Sequence, residues 1–250
     1  MTEISSEQQI WFISGTSRGI GLALAQVVAQ HGHIVFAGAR NPSTAKRLQD
    51  LANTHKNVHI IKHEATSISD AAEAVRIIDK FAGGIDVVVP NAAHIPIEDL
   101  VPVKDAKAES MAKAHSVNTI GPILLFQAFY PLLMKRKTRK FIPISSIAGS
   151  ITHNLPRRFS ASSYGASKAA LNYLTKQIAR ENRVSGLIAF PMHPGMVDSD
   201  ESPKVAKLLG MERFPMSCEE SAEALYKVID EATIERSGKF MSYDGTELAW

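Results

Sequence analysis

Tyr164 and Lys168 stand four residues apart in Tyr164-Gly165-Ala166-Ser167-Lys168, at the start of an apolar-periodic segment. On a helix that spacing puts both side chains on one face. A tyrosine phenol is a weak acid, with an ordinary pKa of about 10. A neighbouring ammonium favours the phenolate and lowers that value toward working pH. A phenol tuned in this way protonates a carbonyl oxygen while hydride arrives at the carbon. Ser146, just after an apolar run, can donate a hydrogen bond to the same oxygen. Alone, the pair is not diagnostic, because Tyr and Lys also face each other on exposed helices that do no chemistry.

A second cluster could hold the hydride donor. Gly15, Gly19 and Gly21 lie between an apolar run and an apolar-periodic one. The spacing is GxxxGxG rather than the general GxGxxG dinucleotide fingerprint. The physics is shared: glycines permit a tight turn and let backbone approach a pyrophosphate. The helix N-terminus that follows offers free N–H groups and a partial positive charge to phosphates. The alternative is a tight turn with a purely structural role. NAD-preferring sites place a carboxylate about twenty residues past the glycines, on the ribose 2′-hydroxyl. Here that region reads Phe36-Ala37-Gly38-Ala39-Arg40, with no acid, and Arg40 falls nineteen residues past Gly21. Arg18 sits inside the glycine turn. Two guanidinium groups suit a 2′-phosphate through bidentate, charge-assisted bonds. The pattern therefore favours NADP(H) over NAD(H). Without Arg18, Arg40 would read as a solvated residue at a strand end.

The elements that must position these residues alternate regularly. Ile10–Ile13, Ile34–Ala37, Val58–Ile61, Val87–Val89, Phe141–Ile144 and Leu187–Phe190 are short and apolar enough for buried parallel strands. Helix-period segments lie near Leu22–Gln30, Ala45–Ala52, Ala71–Phe81, Ala106–Met134 and Tyr164–Asn182. A final helix near Glu219–Ala232 precedes a last strand near Lys239–Ser242. This rhythm predicts an α/β fold: a doubly wound, Rossmann-like parallel sheet of about seven strands with helices on both faces. With no repeat and no linker-like shift in composition, one domain over residues 1–250 is expected. In such sheets ligands bind beyond the carboxyl ends of the strands, at the switch in strand order.

Asn91-Ala92, Asn118 and Pro194-Gly195 complete a series with the glycine turn, Ser146, Tyr164 and Lys168. In this order and at these spacings the chain resembles the short-chain dehydrogenase/reductase family over essentially its whole length. The family's TGxxxGIG is matched by Ser14-Gly15-Thr16-Ser17-Arg18-Gly19-Ile20-Gly21, and its NNAG by Pro90-Asn91-Ala92-Ala93. Its asparagine is matched by Asn118, its serine by Ser146, its YxxxK in full, and its PGxVxT by Pro194-Gly195-Met196-Val197-Asp198-Ser199. The ending, Phe240 to Trp250, is similar to fungal carbonyl reductases related to norsolorinic acid ketoreductase.

The resemblance implies roles. Tyr164 would be the general acid in reduction and the base in oxidation. Lys168 would bond the nicotinamide ribose and hold down the tyrosine pKa. Ser146 would orient the substrate carbonyl, and Asn118 would hold a water that relays protons. Ser17, Arg18 and Arg40 would take the 2′-phosphate, and Glu64, where the family usually has Asp, would lie near the adenine. Gly15, Gly19, Ile20 and Gly21 would cradle the pyrophosphate, and Asn91 and Ala92 would pass along a cofactor ribose. Pro194, Gly195, Val197 and Ser199 would border the carboxamide end. Pro90 and Ala93 depart from NNAG, and the added methyl of Ala93 could narrow the space beside the nicotinamide. None of the departures removes a group that hydride chemistry needs.

Composition bounds the remaining choices. The chain has 250 residues, 45% hydrophobic and 21% charged, which excludes a disordered or collagen-like chain. A net charge of +3 is too small to make nucleic acid or an anionic membrane the main partner. The single cysteine, Cys218, excludes an intrachain disulfide and any multi-cysteine metal site. Met1–Gln9 lacks the basic and apolar regions of a secretory signal. Thr119–Met134 has sixteen residues and two prolines, where a bilayer span needs about twenty, so it reads as a core helix. A cytoplasmic enzyme acting on a small molecule is expected, as a homodimer or homotetramer or as a monomer.

Other features are weighed and set aside. Lys135-Arg136-Lys137-Thr138-Arg139-Lys140 reads as a solvated helix end rather than a nucleic-acid patch. His94, His153 and His193 have no metal-ligand spacing, so no metal is expected, and His94 is a candidate substrate contact. Arg157 and Arg158 could meet an acidic substrate or face water. Met196, Met211, Phe214 and Met216 are candidates for an apolar substrate lining, and Cys218 reads as structural. Two other functions stay open: an NADP(H)-binding regulator without turnover, and an imine or iminium reductase or cyclase using the same site.

Overall fold

The computed structural model describes residues 5, 8–153, 160–200 and 202–250. Six parallel strands form the central sheet in the order β3-β2-β1-β4-β5-β6. They are β1 (Ile10–Ser14), β2 (Ile34–Ala39), β3 (Val58–Lys62), β4 (Val87–Val89), β5 (Lys140–Phe141) and β6 (Ile188–Ala189). A smaller ladder joins β7 (Met192–His193) to β8 (Phe240–Ser242) in parallel, and β8 to β9 (Glu247–Leu248) antiparallel. A parallel bridge between Ile144 and Met192 links the two ladders.

Prolines explain the interruption. The expected strands Phe141–Ile144 and Leu187–Phe190 run into Pro143 and Pro191, which have no N–H to give to a ladder. Around them the bonds continue: Met192 N–H donates to Pro143 O at 3.0 Å, and Met241 N–H to Pro191 O at 3.0 Å. Followed through these breaks, β6 and β7 are one strand, and seven parallel strands lie side by side as expected.

Strand alternation builds two cores. Trp11 and Ile13 point to one face, where α1 (Gly19–Gln30), α2 (Lys46–Thr54) and α8 (Cys218–Asp230) cover them. Ile10 and Phe12 point to the other, against α3 (Ile68–Ala82), α5 (Gly121–Met134) and α6 (Ser162–Glu181). The chain leaves β1 toward β2 and β3, then returns to β4 on the far side of β1. The switch in strand order therefore lies between β1 and β4, and the turns after these two strands border one crevice.

The expected helix Ala106–Met134 is built in three parts. α4 (Ala108–His115) passes into a π-turn at Ser116–Ile120, and α5 follows with Pro122 in its first turn. Such π-bulges are often found at functional sites. By length and composition the continuous helix Ala108–Met134 is apolar enough to cross a membrane. Its residues Leu125, Phe129, Leu132 and Leu133 are buried against the sheet.

The basic run after α5 is solvated as expected at Lys135 and Lys137, which are exposed, and departs from that at Arg136, Arg139 and Lys140. Lys135 pairs with Asp79 at 2.7 Å, and Arg136 donates to Ala82 O at 2.9 Å. Arg139 donates to Arg136 O at 2.6 Å and Ser185 O at 2.5 Å. Lys140 is buried and donates to Asp230 O at 2.7 Å. Arg136, Arg139 and Lys140 satisfy carbonyls at helix and loop ends, and with Lys135 they tie α5 and β5 to their neighbours.

Phe129 is fully buried, with its ring centroid 4.8 Å from that of Phe12. Phe129→Ala should lower stability by about 3–5 kcal/mol through lost burial and a residual cavity. Urea unfolding checks this: the midpoint should drop with little change in slope.

Candidate active site

The turn after β1 has a shape that only glycine permits. Gly15 and Gly19 have φ of 71° and 60°, in the left-handed region. A methyl on Gly15 would lie 2.7 Å from Ala92 Cα, and one on Gly21 would collide with the Asn91 amide and Gly15 O. Hydrogen bonds fix the same contact. Ser14 Oγ accepts from the N–H groups of Asn91 and Ala92 at 3.0 and 3.1 Å. Asn91 Nδ2 donates to Ser14 O at 3.0 Å and to Gly15 O at 3.2 Å. Thr16 donates to Gly38 O through both its N–H and Oγ1, at 3.1 Å each. The switch point is thus a rigid seam between the turns after β1, β2 and β4.

Next to this seam α1 begins with neither a capping side chain nor an acid in its first turn. Its leading N–H groups and the positive end of its dipole remain directed at the crevice. A cleft of about 460 Å³ opens there. Gly15, Ser17, Arg18, Gly19, Ile20 and Gly21 line it from β1, and Arg40 and Glu64 from the ends of β2 and β3. Asn91, Ala92, His94 and Ser199 complete the wall from the far side. Backbone cradle, uncapped helix and paired guanidinium groups fit a dinucleotide bearing an extra phosphate.

The cations at the open end are largely exposed. Arg18 Nε lies 3.8 Å from Asp200, and Arg40 Nε 3.7 Å from Glu64, with both arginines more than half exposed. Such wet pairs contribute little. A phosphate dianion could accept shorter, bidentate bonds from the same groups. A second hollow of about 410 Å³ adjoins them, lined also by Asn41, Thr44, Lys46 and Arg47. Sequence reasoning missed these four. The available signal was the Lys-Arg pair at the N-terminus of a helix directly after β2.

Tyr164, Lys168 and Ser146 line neither hollow. Lys168 is 2% exposed and donates from Nζ to Ile144 O at 2.7 Å. Its Nζ is 5.8 Å from the centre of the Tyr164 ring. Burial pushes the Lys168 pKa down to about 7, since the ammonium has lost its water. Ser146 caps the short helix Ile147–Gly149, its Oγ accepting from Ala148 N–H at 3.2 Å. Two glycines let α6 touch this turn. A methyl on Gly149 would sit 2.7 Å from the Lys168 carbonyl carbon, and one on Gly165 would sit 2.6 Å from Ala148 O. Ser145 Oγ also donates to Asn172 of α6 at 2.5 Å. His193, whose pKa burial lowers to about 4, accepts from Ile147 N–H on Nδ1 at 3.3 Å.

Asn118 joins the two halves of the site. It is fully buried in the π-turn. Its Oδ1 accepts from His94 N–H at 2.7 Å, and its Nδ2 donates to His94 O and Ser167 Oγ at 2.9 Å each. Ser167 in turn donates to Tyr164 O at 2.7 Å, and Thr119 Oγ1 donates to Ser167 O at 2.8 Å. One chain of bonds therefore runs from α6 through the π-turn to the cleft wall.

Some expected residues stand apart from the cleft wall. Pro194 is buried and its carbonyl accepts from Ser221 at 2.7 Å. Gly195, with φ of 92°, packs against Met216 and Tyr243. Val197 is buried and bridges to Met216. Met196, Met211, Phe214 and Met216 line neither hollow. Cys218 donates weakly to Asp198 O at 3.5 Å, and burial raises its thiol pKa. Arg157 and Arg158 lie outside the described residues.

The comparisons with known proteins agree with this geometry. Residues 9–208 match the family model described as short chain dehydrogenase. An uncharacterized oxidoreductase of Schizosaccharomyces pombe is 36% identical over 255 residues, covering 97% of this chain and 98% of its own. The short-chain dehydrogenase srdF of Neurospora crassa is 34% identical, covering 98% and 99%. Among solved structures, the NADPH-bound carbonyl reductase from chicken fatty liver superposes with a TM-score of 0.86 at 29% identity, covering 97% and 99%. Carbonyl reductase Sniffer of Drosophila melanogaster superposes at 0.85 with 28% identity, covering 97% and 99%. By sequence and by fold, the chain belongs to the short-chain dehydrogenase family of oxidoreductases.

Proposed function

We propose that this chain is an NADPH-dependent reductase of small, lipophilic carbonyl compounds, with Tyr164 as the proton donor. One observation carries the reading: a desolvated Lys168 ammonium lies 5.8 Å from the Tyr164 ring, and Tyr164 O is joined through Ser167 and Asn118 to His94 in the wall of a glycine-cradled cleft edged by Arg18 and Arg40. The two carbonyl reductase structures similar to this chain support it. NADPH, when bound, supplies the hydride.

The chain's own groups supply the rest. The Tyr164 phenol gives its proton to the carbonyl oxygen as negative charge develops there. Lys168, fixed by Ile144 O, stabilises the phenolate left behind. Ser146 Oγ directs a hydrogen bond at the same oxygen. Asn118 has both amide N–H groups engaged by protein, so its share of any proton relay falls to its carbonyl oxygens. The Gly15–Gly21 backbone and the start of α1 would hold the pyrophosphate. Arg18 and Arg40, with Lys46 and Arg47 beside them, would hold the 2′-phosphate. Ile120 and Tyr173, exposed on the π-turn and on α6, offer an apolar surface for a second subunit.

Tyr164→Phe should lower kcat on a ketone panel at least about 100-fold while leaving NADPH affinity unchanged. Turnover at the wild-type rate would remove Tyr164 from the mechanism. Arg40→Ala should weaken NADPH binding about tenfold and NADH binding by less than about threefold. Equal losses for both dinucleotides would place the 2′-phosphate elsewhere.

Lys168 also predicts a dependence on pH. Its folded pKa of about 7 lies below the ordinary 10.5, so folding expels a proton between those values. The penalty for burying the charge is complete below about pH 7 and vanishes above about pH 10.5. Lys168→Met should therefore raise the melting temperature by a few degrees near pH 6. The gain should narrow toward pH 10, with reductase activity lost throughout. Thermal scans across pH check this, and a variant less stable than wild type at pH 6 would contradict it.

A further inference from the structure

The turn that carries Ser146 is gripped from two sides. On one side stands α6, through the close contact at Gly149 and the Asn172 amide, whose Nδ2 donates to Gly149 O at 3.4 Å. The other grip comes from residues with no part in the chemistry above. Ser150 Oγ donates to Ala249 O at 2.8 Å. Thr152 donates twice to Trp250 O, from its N–H at 2.9 Å and from its Oγ1 at 2.7 Å. Ser150 Oγ also accepts from His153 N–H at 3.0 Å, so one hydroxyl closes the turn and ties it down.

Ala249 and Trp250 lie beyond β9, outside the ladder, and the indole fixes them. Its ring stacks on the buried Phe240 of β8, with centroids 5.8 Å apart and planes at 25°. Lys176 of α6 places its Nζ 4.5 Å from the indole centre, a cation over the face of the ring. The contacts form a closed circuit. Ser145 N–H donates to Met192 O in β7, β7 pairs with β8, Phe240 of β8 holds Trp250, and Trp250 O receives Thr152. Ser146 lies between the two points at which the turn joins this circuit, Ser145 and Thr152. Its Oγ accepts from Ala148 N–H within the turn, so a turn that shifts takes the hydroxyl with it.

We propose that Trp250 is a positioning residue for Ser146, its indole clamping the backbone that holds the turn and thereby aiming the serine hydroxyl at the substrate carbonyl. The proposal rests on the reading of Ser146 as a hydrogen-bond donor in a carbonyl reductase.

The test uses the whole protein, NADPH and a ketone that the wild type reduces. Trp250→Ala should lower kcat and kcat/KM together, about five- to thirtyfold, because a small misplacement of a donor costs rate. The Kd of NADPH should stay within about twofold of wild type by calorimetry. Trp250→Phe, which keeps a ring between Phe240 and Lys176, should restore most of the rate. The loss should run through Ser146: in a Ser146→Ala background, followed in single turnovers, Trp250→Ala should change the rate less than about twofold. In the ligand-free protein, Trp250→Ala should speed amide hydrogen exchange at Thr152 more than about tenfold, with β1 and β2 unchanged. Thr152→Val, at an exposed position that folding tolerates, removes one bond of the clamp and should lower kcat about threefold. A folded Trp250→Ala with wild-type kcat, equal losses with and without Ser146, or unchanged exchange at Thr152 would overturn the proposal and leave the reductase reading intact. If Trp250→Ala does not fold, a wild-type rate in Thr152→Val overturns it. A wild type that reduces no carbonyl compound would overturn the reductase reading itself, and this proposal with it.

Discussion

The close contact between α6 and the turn after β5 is the constraint on which the site depends. Lys168 reaches Ile144 O only because nothing larger than hydrogen stands at Gly149 or Gly165. That contact brings the ammonium, the Tyr164 ring and the Ser146 turn together, although Ser146 and Lys168 come from separate elements. It also strips the ammonium of water, an expensive arrangement for a lone charge. The cost lowers the lysine pKa toward neutrality, where an amine can both carry charge and shed it. On the proposed mechanism, stability is given up at the position where chemistry needs a poised group.

The two ends of the site follow opposite electrostatic regimes. At the Tyr–Lys end, groups are buried and bonds are short, and the Asn118–Ser167–Thr119 links make the π-turn and α6 one rigid body. At the end proposed to take the 2′-phosphate, Arg18 and Arg40 are wet, with Asp200 at 3.8 Å and Glu64 at 3.7 Å. Screening makes such exposed pairs weak. A reaction centre requires fixed geometry, whereas capture of a charged ligand benefits from cations that water can reach. The glycine seam between the turns after β1 and β4 connects the two, with Ser14 and Asn91 pinning it from both sides.

Much of this was legible from local pattern. The Tyr–Lys spacing, the glycine turn and the apolar runs are short-range signals, because a helix turn or a buried strand is specified by a few neighbouring residues. The placement of Gly15–Gly21, Arg40, Glu64, Asn91, Ala92 and Ser199 around one cleft follows from strand order, which the β-α rhythm implies. Less was visible where residues distant in sequence settle each other's role. The basic run reads as solvated until Ala82, Ser185 and Asp230 bring their carbonyls to it. The strands at Pro143 and Pro191 look continuous until each proline's missing N–H breaks the ladder.

The sequence by itself determined the class of fold, the family resemblance and the types of residue available for hydride chemistry, because these depend on spacing along one chain. Only the tertiary structure decided that Lys168 is desolvated, that the helix through Asn118 carries a π-turn, and that Lys46 and Arg47 join Arg18 and Arg40 around one hollow. It alone showed that both ring nitrogens of His63 are buried without a hydrogen-bond partner among the described residues. Burial and hydrogen-bond satisfaction belong to the packed environment, and that environment is assembled from segments that no local pattern brings together.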